Sequence, residues 1–220
     1  MIKLISTFVL VFTTIICNSQ IKGSGKTSTK TYDYKNFDKV YFEDVDGNIE
    51  VEIGKTWSVT VTIDDNLESL LQFKENTSEH ELKIQFKGNR KNRMYIENTN
   101  TIIKITLPEA SVIKNAGNSD ITVNNIIGRY FRIENTGNGN AILSGETDQL
   151  DIQKIGNGDV VSEALFAKKG KVKNIGNGNV VINVSEEVSG KLFGNGDIIN
   201  KGQAKFGSNS TKIGNGKLID

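Results

Sequence analysis

The 220-residue chain has one cysteine (Cys17), one proline (Pro108) and one histidine (His80). A lone cysteine excludes a disulfide framework and a thiolate metal site, so packing and backbone hydrogen bonds must carry the stability. A lone histidine excludes a histidine-based metal centre. It also leaves a Ser-His-Asp set with only His80 to draw on, in the polar stretch Thr77-Ser78-Glu79-His80-Glu81, which reads as a solvated loop. One proline beside 22 glycines excludes collagen and a disordered Pro/Gly tract. Neither sign of charge is in excess. The formal net charge is +1, so no field draws in nucleic acid or anionic lipid, and no nucleic-acid partner is expected. Apolar residues make up only 36% of the chain. Abundant glycine with so few apolar residues suits short strands joined by many tight turns.

The one long apolar run lies at the N-terminus. Met1-Ile2-Lys3 supplies a positive charge, and the 13 residues from Leu4 to Ile16 follow. That is too short to cross a ~30 Å hydrocarbon core as a helix and right for an export signal. Residues 1–20 read as a signal peptide cleaved near Ser19–Gln20. Lipid attachment at Cys17 is the rival, opposed by Ile15 and Ile16 where such a signal wants small residues. An uncleaved anchor is the third reading. The protein is therefore expected to be exported, and to be periplasmic, outer-membrane-associated or extracellular. Without residues 1–20 the net charge falls to 0, since Lys3 is the only charged residue among them, and no cysteine remains. That composition suits an oxidising exterior.

Residues 21–35 are polar and read as a linker or a loosely attached first strand. Residues 36–108 read as an antiparallel β-section. Asn48 to Ile53, Ser58 to Ile63, Glu81 to Phe86 and Ile103 to Leu107 alternate polar and apolar side chains, the pattern of half-buried strands. Asp65 to Leu71 reads as a single helical turn or a bent loop, and residues 88–100 as a long polar loop.

After Pro108 the chain repeats. The first glycine of a Gly-Asn-Gly-like turn recurs at 117, 137, 156, 176, 194 and 214, in steps of 20, 19, 20, 18 and 20, and eleven of the 22 glycines lie in these turns. Self-similarity at about 20 residues marks a solenoid. Four residues before the first glycine stand Ile113, Ile133, Ile152 and Val172 in the first four units, and Gly190 and Ser210 in the last two. After each turn come Ile121, Ala141, Val160, Val180, Ile198 and Leu218. These mostly β-branched residues alternate with polar ones, and no unit holds a helical pattern. One coil cannot bury its own apolar face, whereas coils stacked ~4.8 Å apart cover one another. Residues 109–220 thus predict a right-handed β-solenoid, and residues 36–218 one continuous all-β domain.

Two polar columns follow from the register. Asn118, Asn138, Asn157, Asn177, Asn195 and Asn215 can form an amide ladder along the stack. Asn is also expected to take the positive φ of the turn, as Gly does. Asp120, Asn140, Asp159, Asn179, Asp197 and Lys217 alternate charged and neutral groups, which keeps carboxylates from stacking directly. Calcium binding is weakened because half of these turns lack a carboxylate.

These residues resemble a bacterial family of exported proteins described as auto-transporter adhesins with a head GIN domain. The resemblance covers roughly residues 36–218. It rests on Phe37-Asp38-Lys39-Val40, Gly47-Asn48-Ile49-Glu50-Val51, Val59-Thr60-Val61 with Asp65-Asn66-Leu67, Leu82-Lys83-Ile84 and the Gly-x-Gly-Asp/Asn turns. It implies a β-helix-like fold and brings no catalytic or binding residues with it. The name implies a membrane β-barrel, and no set of ~10-residue lipid-facing segments follows the last turn.

No catalytic, cofactor-binding or metal-ligating residue can be assigned, no cofactor is implied, and the chain reads as no enzyme. The Gly-x-Gly turns precede strands, so a dinucleotide site fails on context. A polysaccharide-cleaving enzyme is the lesser alternative, with Asp120 and Asp159, two coils and ~9–10 Å apart, at the edge of an inverting-hydrolase separation. Arg90, Lys91 and Arg93 with Tyr95 form a small basic-aromatic cluster, and Trp57 reads as core or rim. The expected function is non-catalytic binding or adhesion at the cell envelope, with an unidentified protein or glycan as partner. A structural or envelope-assembly scaffold is the alternative. The open end of the solenoid is expected either to associate with a second copy or to be capped by residues 36–108.

Overall fold

The computed structural model describes residues 19–87 and 94–220. Of the export-signal region, residues 1–18, Cys17 included, lie outside the described residues, as do Arg90, Lys91 and Arg93. The N-terminal part holds β1 (Ser19–Lys22), β2 (Thr27–Tyr32), β3 (Lys39–Glu43), β4 (Asn48–Ile53) and β5 (Ser58–Asp64). A single 3₁₀ turn at Glu68–Leu70 leads to β6 (Leu71–Asn76), β7 (Glu81–Phe86), β8 (Met94–Glu97) and β9 (Ile102–Leu107). The repeat part holds β10 (Val112–Gly117), β11 (Asp120–Gly137), β12 (Ala141–Gly156), β13 (Val160–Gly176) and β14 (Val180–Gly194), then β15 (Ile198–Asn200), β16 (Thr211–Ile213) and β17 (Leu218–Ile219). The four alternating segments of the sequence are β4, β5, β7 and β9.

β1 pairs with β8, and the other strands form one 15-stranded sheet wound into a solenoid. Ahead of the turns, β7, β3, β10 and the later halves of β11 to β14 stack in parallel, ending on β16. Past the turns, β9, β4 and the early halves of β11 to β14 stack likewise, ending on β15 and β17. The antiparallel pairs expected in the N-terminal section are β2–β5, β5–β9 and β6–β7. β3, β4, β7 and β9 nevertheless run parallel to the coils, so the solenoid begins well before Pro108. The chain achieves this by insertion, for β3 and β4 lie between the β7/β9 layer and the β10/β11 layer. With β10 and β11 already on one side, strands β2, β5 and β6 can only lie beyond β9 and β7. They cap the first coil, at the end opposite β16 and β17, and not the last one.

The core runs the length of the stack. Leu82, Val40, Ile113, Ile133, Ile152 and Val172 form one buried column. Ile103, Ile49, Ile121, Ala141, Val160, Val180 and Ile198 form a second. Phe131, Leu150 and Val188 fill a third, on the side where β11 to β14 bend round the coil. Each fully buried aliphatic contributes about 1.5–3 kcal/mol, covered by neighbouring coils or, at Leu82 and Ile103, by the cap strands β6 and β5 on the outer side.

A buried carboxylate ties down the cap. Asp64, at the end of β5, accepts hydrogen bonds from the Asn100 amide N–H (2.7 Å), Asn100 Nδ2 (3.1 Å) and the Gly25 N–H (2.8 Å). Burial pushes its carboxyl up, and these donors outweigh it, leaving the pKa below its ordinary value.

Candidate functional site

The repeated corner is a stapled edge. Asn138 Nδ2 donates to Asn118 Oδ1 (2.9 Å), and the same bond recurs from Asn157, Asn177, Asn195 and Asn215, each to the coil before, at 2.8 to 2.9 Å. The next column works differently. Oδ1 of Asp120, Asn140, Asp159, Asn179 and Asp197 accepts the backbone N–H of the equivalent residue one coil on, at 2.7 to 3.0 Å. Asp and Asn both supply that acceptor, so alternating them keeps the bond and halves the charge.

The glycines have two separate reasons. Gly156 has φ 124°, the region that disfavours side chains. Gly158 does not, but a Cβ there would overlap the carbonyl oxygen of Gly139 in the coil before. The turn asparagines are not at positive φ either, contrary to the expectation for them. Their place is set by the ladder.

Inside the corner lies a column that sequence reasoning missed. Asn115, Asn135, Lys154 and Asn174 align in register and are buried. Nδ2 of Asn115, Asn135 and Asn174 donates to the turn carbonyls of Ser119 (2.8 Å), Gly139 (2.7 Å) and Gly178 (2.9 Å). Asn115 Nδ2 also donates to Asn135 Oδ1 (3.0 Å). Lys154 interrupts the pattern. Its Nζ donates to the carbonyls of Gly156 (2.8 Å) and Gly178 (2.7 Å), and Asn174 Oδ1 is left buried without a partner. Burial drives the Lys154 pKa down to about 8, against the pull of Asp159. The available signal was a polar residue two places before the first glycine in four successive units.

The remaining singled-out residues lie apart. His80, with φ 53°, is exposed and has Nδ1 3.2 Å from the Asn36 carbonyl oxygen. Trp57 packs against the core and donates from Nε1 to the Phe37 carbonyl (3.1 Å). Asp120 and Asp159 are separated by the coil of Asn140. Among the described residues, no group of three or more His, Cys, Asp or Glu could hold a metal ion.

A groove of about 280 Å³ lies over β11 to β14. Tyr130, Gln149, Lys169 and Glu187 align along one side, and Arg132, Asp151, Lys171 and Ser189 along the other. The alternate residues between them, Leu150 and Gly170, turn inward and leave a floor of backbone. Arg132 binds Asp151 (2.7 Å), and Lys169 binds Glu187 (3.2 Å). Tyr130 is 42% exposed. Separately, Ile142, Val161, Val181, Ile199 and Ile219 form an outward aliphatic column on the post-turn face. Ile142 is 52% exposed, and Ile213, on the pre-turn side of the last coil, 65%.

Fold and surface together define a β-solenoid whose coil faces carry ordered side-chain columns on a hydrogen-bonded frame. The chain belongs to the family described as "Putative auto-transporter adhesin, head GIN domain", whose model matches residues 36–204. Among curated proteins none matches. Solved structures with the same fold include a putative adhesin from Bacteroides fragilis, at 18% identity and TM-score 0.66, covering 90% of this chain and 99% of that one. A putative lipid binding protein from Parabacteroides distasonis matches at 18% identity and TM-score 0.56, covering 91% and 99%. A putative adhesin from Parabacteroides merdae matches at 19% identity and TM-score 0.50, covering 91% and 98%. At such identities the likeness is one of fold. Among the described residues no helix is long and apolar enough to cross a membrane.

Proposed function

We propose that the chain is a non-catalytic exported binding protein of the bacterial cell envelope, acting in adhesion through the groove over β11 to β14. The observation that carries this reading is the groove itself. Side chains from four successive coils line it, and the stapled corner fixes their spacing. The adhesin names of the family and of two solved neighbours support the same reading. The N-terminal sequence supports export to the periplasm, the outer membrane or the exterior. The partner is a protein or a glycan at the cell surface. Asp120 and Asp159 each commit a carboxylate oxygen to a backbone N–H of the next coil, which favours structural work over catalysis. No cofactor takes part.

The test is adhesion of the labelled chain to bacterial cell-envelope fragments, with groove and aliphatic-column variants compared. Tyr130→Ala with Lys171→Glu is expected to abolish retention while the urea midpoint stays unchanged. Ile142→Asp with Val161→Asp is expected to leave retention intact. The opposite pattern would move the function to a scaffold that docks its outer aliphatic column, or its end near Ile213 and Ile219, on another envelope component. The exposure of those aliphatic residues is what favours that second reading.

A further inference from the structure

We infer that the groove over β11 to β14 binds an acidic polysaccharide, a chain of pyranose rings only some of which carry a carboxylate, laid along the solenoid axis. The inference rests on the reading of this groove as the adhesion site and names what fills it.

Backbone pairing removes one class of ligand. At the groove, β12 is paired in parallel with β11 and β13, and β13 with β14. The floor at Leu150 and Gly170 is paired on both sides and offers no open strand edge, so a peptide lying across it could not add itself there by main-chain hydrogen bonds. The ligand must be read by side chains alone, which suits a molecule that carries many hydroxyl groups of its own.

The side chains match a sugar chain in kind and in spacing. Tyr130 presents an exposed aromatic surface at one end, suited to the C–H face of a pyranose. Gln149 and Ser189 offer amide and hydroxyl groups that both donate and accept. Successive coils lie ~4.8 Å apart, close to the length of one pyranose ring, so each ring along the axis would meet a new coil.

Charge selects among sugars. Arg132 is held by Asp151 and Glu134, and Lys169 by Glu187. Lys171 is exposed, and no ion pair among the described residues holds it. Its ammonium stands beside the floor at Gly170 and is the cation left to meet a ligand carboxylate. A neutral glycan would leave that group unused, and a dense polyanion such as nucleic acid would meet the carboxylates of Asp151 and Glu187.

The experiment is an array of uronic-acid-bearing and sialic-acid-bearing glycans with their neutral counterparts, and polyglutamate as a charged polymer without rings. The full chain should be retained on carboxylated glycans and bind their neutral counterparts and polyglutamate about tenfold more weakly or worse. Tyr130→Ala and Lys171→Glu should each weaken retention about tenfold, and Lys191→Glu, on another column, should not. No retention on any carboxylated glycan would overturn the inference, as would equal binding to polyglutamate or indifference to both groove substitutions. Failure on the array with continued groove-dependent adhesion to envelope fragments would sink the glycan and leave the adhesion reading standing. Loss of groove dependence in both assays would remove both.

Discussion

Lys154 stands in a column of buried asparagines, and the mismatch has a measurable consequence. In the folded chain its ammonium titrates near 8, against 10.5 for an ordinary lysine. Between those two values the unfolded chain binds the extra proton, so stability rises with pH across that window. Below the window both states are protonated, and burial of the charge costs about 3 kcal/mol. Lys154→Asn would let residue 154 donate to Asn174 Oδ1, as Asn115 does to Asn135. The variant should be more stable at pH 7 by about 1–3 kcal/mol and should lose the rise toward pH 10. Urea midpoints at pH 7 and pH 10 decide this, and a wild-type midpoint that stays flat between them would refute the assignment. In the sequence the column was marked only by a recurring polar residue two places before the first glycine, and its burial was not legible. A polar residue at an inward position reads as solvated, because the carbonyls that satisfy it come together only when the corner closes.

At the scale of the element, the turn was half legible. The recurring glycines located every corner, and the first glycine has the positive φ that local reasoning assigns to it. The second glycine and the asparagine are explained only by the coil before. Gly158→Ala places a methyl group against the carbonyl of Gly139 and should destabilise by about 3 kcal/mol or more. Asn157→Ala loses two exposed ladder bonds and should cost about 1–2 kcal/mol. Equal urea midpoints for the two variants would mean that contact between coils is not what requires the glycine. The N-terminal strands were legible one by one from their alternation. Their arrangement was not, because alternation marks which residues face inward without saying which strand lies alongside.

Across the whole molecule, the period announced the solenoid, while the groove could not be read from the sequence. Tyr130, Gln149, Lys171 and Ser189 belong to different repeats, and each looks like an ordinary surface residue until the coils align them. The site arises from register, which the sequence carries only through its spacing.

The one-sided staples between coils also bear on how the protein would respond to load. Coils are joined by hydrogen bonds that run along the stack, and each coil is held by the same few acceptors on the coil before it. Tension between the two ends would therefore work on one layer at a time and not on the whole sheet at once. A released coil frees 18 to 20 residues, the steps between the repeated glycines. That should lengthen the chain by roughly 60 Å, from about 3.3–3.6 Å per extended residue less the spacing already spanned. Single-molecule pulling should show a train of near-equal steps, and one abrupt release of the entire stack would count against it. A protein built this way would give ground under strain by paying out chain, coil by coil, while the coils still stacked kept their grip.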